Sequence, residues 1–136
     1  MIIPVNETLT AYRWQPFVNS IEVEGVDLGA ASISLQLRLY PDALGDALLT
    51  LTRNDNPSAQ GIAVRDSAII AGLPTQTLQI RINETTLEQL MPFPNNGTEP
   101  GECVNLAYDL VIDLPGFAKA RWMSGSFAIV PGANQL

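Results

Sequence analysis

The feature that most constrains this chain is a strict two-residue alternation near its C-terminal end. Val104, Leu106, Tyr108, Leu110, Ile112 and Leu114 fall on one side; Asn105, Asp109, Val111 and Asp113 fall on the other. Successive side chains of a strand point to opposite faces, so this run reads as a strand with one apolar and one wet face. Pro115-Gly116 follows as a tight-turn signal, and Ala118, Ala120 and Trp122 continue on a strand that pairs back. Trp122 shares a face with the two alanines and is expected in the core. Gly125 is expected to mark a bulge before Phe127 and Ile129.

The same period recurs upstream. Ile33, Leu35, Leu37 and Leu39 alternate with Ser34, Gln36 and Arg38, and after a turn around Gly45 the run Ala47 to Thr52 forms the second arm of a hairpin. The polar cluster Asn54-Asp55-Asn56-Pro57-Ser58 closes that strand. Ile62, Val64 and Ala68-Ile69-Ile70 read as two short strands or one bent one, and Leu78, Ile80 and Ile82 as a half-exposed strand. One helical segment stands out: Asn83 caps Thr86 to Leu90, with Leu87 and Leu90 on one face. Pro92 and Pro94 end it, and Phe93 to Gly101 is a loop. Thr8 to Trp14 and Phe17 to Val23 each suit a strand, with Pro16 bending the junction. About eight short strands and one short helix predict an all-β antiparallel sandwich, Ig-like or jelly-roll-like. The 136 residues fit a single domain, 1–136, with 1–20 as a docking arm and 131–136 as a short C-terminal tail.

Chemistry is hard to find in this sequence. It contains no histidine, which removes the usual base for a Ser or Cys nucleophile and the commonest metal ligand. Ser124 and Ser126 lie near Lys119 in sequence, but a strand between them fixes no catalytic geometry. Cys103 is the one cysteine, read as a small buried hydrophobe near a strand start. Asn54-Asp55-Asn56 is the best oxygen cluster but lacks the spaced ligands and distal glutamate of a calcium loop, so it reads as a polar turn. Asp109 and Asp113 share a strand face about 13 Å apart at ordinary strand rise, too far for a glycosidase pair. No phosphate-binding glycine loop is present. The expectation is no enzyme, no cofactor and no metal.

The charge balance narrows the partners. A net charge of −7, with seven scattered Lys and Arg, argues against nucleic acid and against an anionic membrane surface. No apolar run approaches the roughly 18 residues of a spanning helix, and Met-Ile-Ile-Pro does not open a signal peptide, so synthesis in a cytoplasm without export is expected. The glycosylation-like triplets at Asn6, Asn83 and Asn96 are then chance. Charged residues make up 15% of the chain where about a quarter is usual, which leans toward a surface partly covered by partners.

Val26-Asp27-Leu28-Gly29-Ala30 followed by Ile33-Ser34-Leu35-Gln36-Leu37-Arg38 resembles a D-L-(T/S)-G-A … (M/L)-Q-(L/I)-R pattern. That pattern belongs to small β-sandwich proteins of tailed-phage structural regions, among them the N-terminal domain of baseplate upper proteins and short proteins beside tail-fibre components. Ala107-Tyr108-Asp109-Leu110 and Arg121-Trp122-Met123-Ser124-Gly125-Ser126-Phe127 extend the likeness over about residues 20–131; Gly29 stands where Thr-Gly or Ser-Gly is usual, which shortens the turn. The resemblance implies a non-enzymatic virion protein of the tail, baseplate or fibre-attachment region, made in the host cytoplasm. It would bind other virion proteins in a symmetric, multi-copy assembly. The alternatives are a capsid decoration or head–tail connector protein, and a carbohydrate- or receptor-binding module in which Trp14, Tyr12 or Tyr108 stacks on sugar rings. The expected docking residues are Tyr12, Trp14 and Phe17 in the N-terminal arm and Pro131 at the start of the tail.

Overall fold

A computed structural model of the chain describes residues 5–90 and 102–132. Two sheets pack face to face. The larger is built from β1 (Val5–Asn6), β2 (Leu9–Tyr12), β4 (Ser32–Arg38), β5 (Leu49–Thr52), β8 (Val104–Asp113) and β9 (Ala120–Val130), in the order β1-β9-β8-β4-β5 with β2 also on β9. The smaller contains β3 (Phe17–Glu24), β7 (Leu73–Ile82) and β6 (Gly61–Ile70), in the order β3-β7-β6. The single helix among the described residues, α1 (Glu84–Leu90), carries the chain from β7 back to β8.

The alternation seen in sequence maps onto this architecture. On β8 the residues Val104, Leu106, Tyr108, Leu110 and Ile112 are buried, and those between them face outward. Flanked by β4 and β9, β8 is the centre of the larger sheet. Its inward row meets Ile33, Leu35 and Leu37 of β4, Met123, Phe127 and Ile129 of β9, and Ile62, Leu78, Ile80 and Ile82 from the opposing sheet in one continuous core. Burial of each such side chain is worth about 1.5–3 kcal/mol, so the shared core is what joins the layers. Leu87 and Leu90 of α1 belong to the same core, and the Asn83 carbonyl accepts the first helical amides, those of Thr86 and Leu87. Pro92, Pro94 and the loop to Gly101 lie outside the described residues.

Several expectations are corrected. The ladders are antiparallel except at the N-terminus, where β1 and β2 run parallel to β9. Both keep the same offset (123 − 5 = 127 − 9 = 118), so they are one strand interrupted at Glu7 and Thr8. The described part of the 1–20 segment is therefore sheet and not an arm: Leu9, Ala11 and Phe17 are core residues. The bulge in β9 falls at Trp122, skipped between Leu110↔Met123 and Val111↔Arg121. Trp122 consequently packs against the core only partly buried. Gly125 sits in regular register opposite Tyr108 and answers a different need, since a Cβ there would collide with the Glu7 carbonyl oxygen. That gap is what lets Tyr108 reach under β9 and donate its hydroxyl hydrogen to the Glu7 carbonyl at 2.6 Å. The 61–70 segment is one strand with a register shift between Arg65 and Ala68. β7 is not half-exposed: it is the middle strand, Thr75, Gln76 and Gln79 are buried, the Pro57 carbonyl accepts from Gln79 Nε2 at 2.8 Å, and Gln76 Oε1 accepts from the Leu28 amide at 2.7 Å.

The two long sides of the sandwich differ. On one, β5 runs into β6 through a parallel bridge between Arg53 and Ile62, and Asn54 N–H donates to the Ile62 carbonyl at 2.8 Å. Gly61 permits this approach, since a Cβ would stand 2.9 Å from the Thr52 carbonyl oxygen at a backbone φ of 143°. On the other side, β2 and β3 follow one another through a short turn at 13–16 but do not pair, leaving both edges open among the described residues.

Candidate functional site

Of the four expected docking residues, three gather at one corner. Arg13 N–H donates to the Val130 carbonyl at 2.9 Å as β2 ends, and Trp14 turns the chain with a left-handed φ of 77°. Its indole N–H donates to the Gly132 carbonyl at 3.2 Å, so Trp14 and the Pro131-Gly132 segment lie side by side. The Arg13 guanidinium stacks 4.4 Å from the Trp14 ring centre and takes one ring face. Tyr12, 52% exposed, projects from the adjoining end of β2. Phe17 leaves the docking set. Only 7% exposed, it packs edge-on against Phe127 at 5.2 Å between ring centres, and its apolar ring has more to bury inside than outside. Pro131 is partly buried beside the corner, and tail residues 133–136 lie outside the described residues.

The resemblance-bearing turn has a structural task. Leu28 is fully buried, and its N–H donates to Gln76 Oε1 at 2.7 Å. Arg53 Nη1 donates to the carbonyls of Leu28, Gly29 and Ala31 at 2.7, 3.1 and 2.9 Å. Its Nε and Nη2 grip the two Asp55 oxygens at 3.0 and 3.1 Å. Hydrogen bonds from Arg53 and then from the Val64 amide hold the Asp55 carboxyl below the usual carboxylate range. The Asn54-Asp55-Asn56 cluster is thus a turn with its acid already engaged; Asn54 and Asn56 side chains accept from the amides of Asn56 and Ser58.

A cluster of exposed apolar residues lies where the sequence suggests ordinary strand. β3 ends at Glu24, opposite Thr75, while β6 and β7 run on as a two-stranded hairpin past the sandwich. There Ile70 pairs with Leu73 on one face and Ile69 with Pro74 on the other. Ile69 is 78% exposed, Ile70 58% and Leu73 48%. Ala71 and Gly72 close the hairpin with φ of 53° and 81°, the two-residue turn whose twist suits paired strands. The signal available in sequence was the loss of alternation: adjacent Ile69 and Ile70 leave no wet face.

Asp109 pairs with Arg121 at 3.4 Å on the outer face of the larger sheet, and no group of three or more acidic or cysteine ligands assembles among the described residues. Cys103 is exposed and not a buried hydrophobe, because it precedes the first inward residue of β8. Tyr108 is buried, which removes it from any sugar-stacking role. Burial, then the nearby Glu7 carboxylate, pushes its hydroxyl up to about 12 and keeps it a donor. No protein-family model matches this chain, and no curated protein matches its sequence. Among the described residues, the surfaces that stand out are a corner holding Tyr12, Trp14 and Pro131, two unpaired strand edges, and a projecting apolar hairpin.

Proposed function

We propose that this chain is a non-enzymatic structural protein of a virion, in the tail, baseplate or fibre-attachment region, that docks to other virion proteins. The hairpin at 68–74 carries the docking half of the reading. Apolar side chains on both faces of a two-stranded projection have nothing among the described residues to bury against, and a socket on another protein gives them that burial. The virion half rests on the resemblance of the Val26–Arg38 and Arg121–Phe127 segments to phage tail sandwiches. A multi-copy, symmetric setting follows from the same resemblance.

The test is fractionation of assembled particles followed by detection of this chain. Co-sedimentation with tails is expected, and replacement of Ile69, Ile70 and Leu73 by Ser should leave the protein folded but unincorporated. Recovery with tail-less heads favours a decoration or connector role, and absence from particles overturns the reading.

One observation favours a second reading, a glycan-binding module. Tyr40, 59% exposed, stands beside an outer-face depression lined by Gln36, Asn105, Asp109 and Arg121, a mixture of amides, acid and base around an aromatic ring. Specific glycan-array binding that disappears in Tyr40→Ala would support it.

A further inference from the structure

Among the described residues, strand β3 is paired along one edge only. Gly25 N–H donates to the Pro74 carbonyl at 2.8 Å, in step with the register that pairs Phe17 with Ile82 and Glu24 with Thr75. In an antiparallel ladder the backbone groups of successive residues point to opposite sides. Residues 17, 19, 21 and 23 therefore bond toward β7, while Val18, Ser20, Glu22 and Glu24 turn their N–H and C=O outward, where no described strand meets them. This eight-residue edge contains no proline, lysine or bulge, and Glu22 and Glu24 are its only charged residues to discourage pairing. Its charges are separated along its length. Glu22 and Glu24 at one end face Thr77 and Thr75 across the ladder and join no ion pair among the described residues. At the other end Val18 lies opposite Arg81, whose Nε is buried without a hydrogen-bond partner.

We propose that this edge pairs with the same edge of a second copy of the chain, antiparallel about a two-fold axis at Ile21, joining two three-stranded sheets into one. The proposal rests on the docking reading above and names its partner. One register uses every free group: Val18 with the second copy's Glu24, and Ser20 with its Glu22 (18 + 24 = 20 + 22 = 42), each pair exchanging two hydrogen bonds. Ile21, already partly buried against the core, meets its own equivalent on the inward face, in the pair type that brings side chains closest. On the outward face the second copy's Glu24 lies across Val18 from Arg81. Two strand spacings are about 10 Å, a distance that two long side chains span. Sliding the register by two residues sets Glu24 against Pro16, which has no N–H, or Glu22 against itself. Charge and hydrogen bonding thus select the same alignment.

Sedimentation of the full chain from micromolar to millimolar concentration tests this. A monomer–dimer equilibrium is expected, with the amides of Val18, Ser20, Glu22 and Glu24 gaining hydrogen-exchange protection as the dimer fills. Ser20→Pro should abolish it while keeping the fold, because the Ser20 N–H takes no part in the β3–β7 ladder. Glu24→Arg and Arg81→Glu should each weaken association about tenfold, and the two together in one chain should restore it. The charge swap decides the matter if Ser20→Pro fails to fold. A chain that stays monomeric at millimolar concentration overturns the proposal, as does a dimer indifferent to the swap or protected instead at Thr8 to Tyr12. A monomer that captures another virion protein through its 68–74 hairpin leaves the docking reading standing and removes this pairing alone.

Discussion

Arg53 donates to three carbonyls of the 27–31 turn and clasps Asp55 with two further bonds, binding the loop before β4 to the end of β5. Charged hydrogen bonds of this kind contribute roughly 1.5–3 kcal/mol each before losses to solvent, so Arg53→Ala should lower stability by about 2–4 kcal/mol in urea unfolding. Arg53→Lys should recover little, because an ammonium cannot span three carbonyls and a carboxylate at once. Two titrations follow from the same local chemistry. The folded-state pKa of Asp55 is lowered, so its contribution is complete above the ordinary carboxylate value and is lost as pH falls through the depressed one; acid unfolding of Asp55→Asn should lack that component. The Tyr108 pKa is raised from 10.0 to about 12, so its contribution is complete below pH 10 and is lost as pH climbs toward 12. Tyr108→Phe should cost about 1 kcal/mol at neutral pH and flatten the decline in stability above pH 10, read from melting temperatures across that window.

At the scale of elements, the β6–β7 hairpin is the test of docking against ordinary stability. Its tip contributes exposed side chains and little core, so Ile69→Ser, Ile70→Ser and Leu73→Ser together should shift the melting temperature by only a degree or two while reducing association with partner chains. Ala71 holds a left-handed φ that a β-carbon resists by about 1 kcal/mol, and Ala71→Gly should leave the hairpin folded and as stable or more so. Strands with one wet face, β4 and β8 above all, were legible from alternation because each faces a core on one side only. β7 is not half-exposed as its pattern suggests, because Gln79 lies under the 54–60 loop and Gln76 under the Asp27-Leu28 turn, and no periodicity announces covers that arrive from distant sequence.

For the molecule as a whole, the sandwich has one closed and one open side. The β5–β6 bridge closes the first, and on the second the edges of β2 and β3 are unpaired among the described residues. Residues 5–12 are part of the body on this second side. Removing residues 1–12 should therefore destabilise the entire fold by at least ~3 kcal/mol, since Leu9 and Ala11 leave the core and β9 loses its outer neighbour. A dispensable arm would leave the melting temperature unchanged, so differential scanning calorimetry separates the two. Because both sheets share one core, denaturant unfolding should show a single transition by fluorescence and by circular dichroism.

By itself the sequence determined the fold class, the β4–β5 and β8–β9 pairings, the Pro115-Gly116 turn and the short helix, because each follows from local periodicity or local turn chemistry. It also located the turn at Asp27, though not its purpose. Only the tertiary structure decided that β1 and β2 lie parallel on β9, that Phe17 is core, and that Trp14 meets Gly132 across 118 residues. Those outcomes depend on which distant strand arrives alongside, and short-range residue patterns carry no record of that. The candidate docking surfaces belong to the same category. An edge is bare and a hairpin exposed because no other described part of the chain comes to cover them.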